Sequence, residues 1–176
     1  SPRPKETRAL LENIELRVGL SGQVGRPAVT PLQNNPNCVS KGPKGAWFCF
    51  DSSQWPAEFS PQIEVDAWLY RNGRRIVQYD QGRATRIFTL FPSRNFAAVS
   101  AYFERQFGPP TKRKIDQMAL IGAPAIANPS NRWRSQMAQA RRTVVLEIRK
   151  YDNERRMMAD RTTGFIRLYE EGTTPI

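Results

Sequence analysis

The chain has 176 residues with a hydrophobic fraction of 39%, enough for one domain with a real core. Its formal charge is +11 and it contains no histidine, which excludes Ser-His-Asp and Cys-His catalysis and most zinc sites. No run approaches the roughly 18 apolar residues that a membrane helix requires.

Taken in chain order, residues 1–12 are a polar, charged lead-in, a possible arm without the apolar core of a signal peptide. "IELRVGL" (14–20) alternates apolar and polar residues and predicts a half-buried strand. Residues 21–45 are rich in Gly, Pro, Asn and Ser and predict a long loop. "AWFCF" (46–50) is a short apolar strand. Its Cys49 and the earlier Cys38 are the only two cysteines, and Gly42-Pro43-Lys44-Gly45 forms a turn signal between them. A disulfide is the expectation, because the turn brings the ends of the segment together; two separate buried thiols are the alternative. A metal clip fails on ligand count, so no metal or other cofactor is expected.

The strongest local signal is "IEVDAWLY-RNGR-RIVQYD", in which Asn72-Gly73 separates two alternating runs. Both residues tolerate positive φ, so a two-residue hairpin is predicted that pairs Leu69 with Ile76. "DQGR" (80–83) turns again and "ATRIFTLF" (84–91) adds a third strand, giving a meander over 63–91. Ser93 is the expected N-cap of a helix over about 94–106. In that helix Phe96, Val99, Phe103 and Phe107 form one stripe, and Gly108 with Pro109-Pro110 stops it. Residues 109–131 read as mostly irregular. Strands follow near 132–138, 143–151 and 165–171. Strands in runs with one inserted helix predict an α+β class, with a mainly antiparallel curved sheet packed on the helix, as one domain over 1–176.

Arginine supplies most of the charge, six of the 27 basic residues being lysine. A compositional preference for Arg codons accounts for this without a ligand. The functional reading is a surface for phosphate or another anion, with Arg71, Arg74, Arg75, Arg132 and Arg134 as candidates. In "RWR" the two arginines share a strand face opposite Trp133, and Arg149 and Glu147 share a face of their own strand. A basic strip across the last strands is therefore geometrically open. For nucleic acid, "DAWLYRNGRRIVQY" interleaves aromatic and basic residues, with Trp68, Tyr70, Val77 and Tyr79 on one face and Arg75 among them. No RNP-type motif and no glycine-rich phosphate loop accompanies it, so nucleic acid is the lesser possibility. Glu64 and Asp66 are the carboxylate pair that an enzyme reading would use; solvated or arginine-paired charge is the simpler account. Trp55, in the Pro-rich "SSQWPAEF", is the candidate partner contact.

The helix ending in "FGPPT", followed by a tryptophan and strands, resembles small envelope lipoprotein domains with a helix-then-sheet layout. That resemblance implies an envelope setting and transfers no function. The expected role is a non-enzymatic extracytoplasmic interaction domain, an accessory component of an envelope protein assembly with a protein partner. An anion-binding module for nucleic acid, nucleotide or acidic glycan is the alternative, and an enzyme without histidine chemistry the third. A disulfide points to the periplasm or the cell exterior; without one, the cytoplasm stays open.

Overall fold

The computed structural model describes residues 27–28, 30–41, 45–51, 57–63, 65, 75–137, 142–153 and 161–171. Eight strands form one sheet: β1 (Cys38–Lys41), β2 (Ala46–Asp51), β3 (Arg75–Asp80), β4 (Arg83–Pro92), β5 (Lys112–Leu120), β6 (Ala123–Met137), β7 (Arg142–Arg149) and β8 (Thr163–Glu170). Their spatial order is β1-β2-β3-β4-β8-β7-β6-β5, and every pairing is antiparallel. The sheet is thus two four-stranded meanders joined where β4 meets β8. A helix, α1 (Phe96–Phe107), connects them, so the chain leaves the middle of the sheet and re-enters at its far edge. The expected α+β class, with one principal helix and an antiparallel sheet, describes this arrangement.

The helix forms where its stripe requires. Val99, Phe103 and Phe107 are fully buried, with Phe96 half-buried beside them. They meet Val77, Ile87, Trp133, Leu146, Ile148, Ile166 and Leu168 on one face of the sheet. A fully buried side chain of this kind stabilises by about 1.5–3 kcal/mol relative to exposure. Gly108 ends the helix at φ +79° and donates its N–H to the Glu104 carbonyl at 2.8 Å. The Gly108 carbonyl in turn accepts the Trp133 indole N–H at 2.8 Å, fixing the helix end to β6. Ser93 is not the N-cap: it opens a 3-10 turn (Ser93–Asn95), and its hydroxyl donates to the Arg161 carbonyl at 2.7 Å. That tertiary acceptor competes with the cap.

Three further expectations are corrected. Residues 21–45 are not all loop, because Leu32–Asn34 is a 3-10 turn and Cys38–Lys41 is an edge strand. Residues 109–131 are not irregular: β5 and the first half of β6 form a hairpin turning at Ile121-Gly122, with Gly122 at φ +70°. The prolines that suggested a break are tolerated. Pro124 lies where β6 has β5 alone beside it, and Pro129 immediately precedes the start of β7 pairing at Ser130.

The third correction concerns the meander. Ile76 lies between Phe50 of β2 and Phe88 of β4; a strand has only two edges, so the Leu69–Ile76 pairing gives way to these two. Ile63 ends a 3-10 turn (Ser60–Ile63) and is buried in the core beneath the helix, while Val65 packs with Leu90 and Phe165 in a second cluster. The β3–β4 turn is as expected, with Gln81 and Gly82 both at positive φ. The Asn72-Gly73 turn and the strand over 14–20 lie outside the described residues.

Candidate functional site

The disulfide is present. Cys38 and Cys49 are directly opposite on β1 and β2, with Cα atoms 4.0 Å apart. Phe50 donates its N–H to the Asn37 carbonyl at 2.9 Å, so the cysteines occupy the adjoining non-hydrogen-bonded pair. In antiparallel ladders these are the pairs whose side chains approach most closely. The bond ties an edge strand to the sheet.

On the sheet face opposite the helix, Glu147 is fully buried at the centre of an arginine cage. Register puts Arg132 of β6 and Arg167 of β8 directly beside it, and Arg149 follows two residues along β7. Its Oε2 accepts from Arg132 Nε at 3.2 Å, Arg132 Nη2 at 3.0 Å and Arg149 Nη2 at 2.9 Å. Its Oε1 accepts from Arg167 Nε at 2.8 Å and also from Arg167 Nη2. Burial pushes the Glu147 pKa up. Attraction from Arg167, Arg149 and Arg132, with the Arg149 hydrogen bond, outweighs it and holds the carboxyl below its ordinary value. Aromatic rings complete the packing: Arg167 lies 5.0 Å from the Phe165 centroid and 4.9 Å from that of Tyr169, and Arg149 lies 4.9 Å from Phe165. Both carboxylate oxygens accept from arginines, so Glu147 ties β6, β7 and β8 together.

The candidate residues separate accordingly. Arg132 is bound to Glu147, and Arg134 is exposed and paired with Glu171. Arg75 opens β3 and is fully buried. Val77 and Tyr79 are buried in the core, so those two do not form an exposed stacking platform. Trp55, Arg71 and Arg74 lie outside the described residues, as do Glu64 and Asp66. No helix of the described residues is long and apolar enough to cross a membrane.

The feature that the candidates omit is the outer half of the β5–β6 hairpin. Inward of it, Asn128 is buried and its side chain accepts from Tyr151 N–H and donates to the Tyr151 carbonyl, each at 2.9 Å. Outward of it, β6 has only β5 beside it. Ile115 is 68% exposed and Ile121, at the turn, 85%. The pairs Ile115↔Pro129, Gln117↔Ala127 and Leu120↔Ala123 put these residues on the helix side of the sheet, beyond the reach of the helix. The register shift between Met118 and Leu120 returns Leu120 to that face. The other face carries Lys112, Lys114 and Asp116 toward the base, with Met118, Ile126 and Pro124 toward the tip. The hairpin is an arm, charged at its base and apolar toward its tip, whose helix-side face is uncovered. Its sequence signal is "MALIGAPAIA", ten residues without charge, in a stretch with no Asp or Glu from 117 to 146.

Comparison with family models, curated proteins and solved structures finds no match for this chain.

Proposed function

We propose that the chain is a non-enzymatic extracytoplasmic interaction domain, an accessory component of an envelope assembly, and that it engages its neighbour through the β5–β6 arm. Residues 1–176 act in this reading as one α+β domain. The observation that carries it is the uncovered apolar face of the arm, with Ile115 and Ile121 in water. Exposed apolar surface of this kind, rimmed by charge, marks contact sites. Two further observations support it. The Cys38–Cys49 bond suits an oxidising compartment. The buried titratable group on the second face, Glu147, is fully occupied by arginines, which favours a structural over a catalytic role. The anion-binding alternative is less favoured, because Arg132 and Arg134 already have carboxylate partners.

Photo-cross-linking in the native envelope tests the proposal. A cross-linker at position 121 is expected to give an adduct, to protein or to lipid, and one at the exposed Arg94 on the body is not. Equal labelling from both positions, or none from 121, would contradict the reading.

A further inference from the structure

Resting on that docking role, we infer that the neighbour of the arm is the surface of an anionic lipid bilayer, on which the hairpin lays its apolar face with Ile121 leading. Three observations select this occupant.

The contact residues are small and aliphatic. Ile115, Ile121, Ala123, Ala125 and Ala127 are exposed, with Gln117 the uncharged polar residue beside them, and residues 115–127 include no Trp, Tyr, Phe or Arg. Those are the side chains that anchor protein–protein contacts in fitted pockets. A smooth aliphatic face suits a medium that has no fixed shape.

The arm is also closed to strand addition. Its free edge carries Lys112 and Lys114, the ladder shifts register between Met118 and Leu120, and Pro124 interrupts the donors of β6. These devices blunt an edge against another chain's backbone. They also set the depth. Unpaired edge amides are costly in hydrocarbon, so the face rests at the boundary between headgroups and acyl chains, where amphipathic elements bury about 5–10 Å.

Charge is complementary to an anionic surface. Past Asp116 the arm has no carboxylate, within a chain of net +11. At its base, on the apolar side, Arg113 pairs with Glu104 at 3.0 Å. That pair is solvent-exposed, and pairs of this kind contribute little, so anionic headgroups compete for the guanidinium. Arg113 lies on the same face as Ile115, and the exposed Arg105 of α1 lies on that side of the sheet.

The test is flotation with vesicles of phosphatidylglycerol and phosphatidylcholine in equal parts, and with phosphatidylcholine alone. Wild type is expected to float with the mixed vesicles, less so as salt rises, and weakly with phosphatidylcholine alone. I115D/I121D is expected to lose binding roughly tenfold or more, the scale of taking an isoleucine out of an apolar phase. R105E/R113E is expected to lose roughly fivefold per charge removed. Both pairs of positions are exposed, so unchanged thermal unfolding would show that the fold is intact. No binding to mixed vesicles overturns the inference, as does binding that I115D/I121D leaves unchanged, which would be adhesion by overall charge. Failure with vesicles while position 121 still cross-links would leave the docking role standing with a protein as the neighbour. Failure of both removes both.

Discussion

The two halves of β6 are one strand under opposite regimes. From Ser130 to Arg132 it has strands on both edges, and this inner half places Trp133 under the helix and sends Arg132 to the buried Glu147. From Ala123 to Ala127 it has β5 alone, and its side chains face water with no helix above them. Both halves put apolar side chains on the helix side, Ala123, Ala125 and Ala127 in one and Pro129 and Trp133 in the other. What changes is the cover, and cover decides whether the same pattern yields a core or a contact surface. The inner half is accordingly assigned to stability and the outer half to contact.

That division can be broken from the inside first. Glu147→Gln leaves Arg132, Arg149 and Arg167 packed around a neutral group, and is expected to cost about 3–5 kcal/mol in denaturant unfolding. The pH dependence has a definite sign. Because the folded-state pKa of Glu147 is lowered, its contribution is present above the ordinary glutamate value of about 4.3 and is lost as pH falls through the lower folded value. E147Q is expected to flatten that acid limb; a limb of unchanged slope would assign it to other carboxylates.

Gly164 is the next largest effect. A Cβ there would lie 2.4 Å from the Arg149 carbonyl oxygen, 2.5 Å from that of Lys150 and 2.6 Å from the Phe91 ring. Two of these neighbours are backbone, which does not step aside, so Gly164→Ala is expected to cost about 3 kcal/mol, the upper range for overpacking. Replacing both Cys38 and Cys49 by serine releases the β1 edge and is expected to cost about 2–3 kcal/mol by the same measurement. At the small end, I115D/I121D is expected to change stability by no more than about 0.5 kcal/mol, because both side chains already stand in water. A loss comparable to that of Gly164→Ala would mean that the arm belongs to the folded core.

What could be read from the chain follows the same division. The Phe96–Phe107 stripe, the Gly108 stop, the strands around Ile87, Leu146 and Leu168 and the Cys38–Cys49 bond all declare themselves through local spacing. The partner of β3 did not. Asn72-Gly73 is a strong turn signal, yet Ile76 lies beside Phe50 and Phe88, and that choice of neighbours is tertiary. The β5–β6 hairpin was hidden for a different reason. Pro124 and Pro129 read as breakers until the structure shows that one has a single neighbouring strand beside it and the other stands where the second ladder starts. The Glu147 cage was half legible: alternation put Arg149 on the Glu147 face, but only the register across β6, β7 and β8 aligns Arg132, Glu147 and Arg167 in one row. The charge of +11 said nothing about which arginines were already occupied.

Amide hydrogen exchange, compared between the free protein and the protein in its native envelope assembly, tests the division most directly. Protection is expected to rise across residues 115–127, with the β7 amides 144–149 unchanged. Protection gained elsewhere, along β1 and β2 or across β7 and β8, with residues 115–127 left as in the free protein, would contradict it.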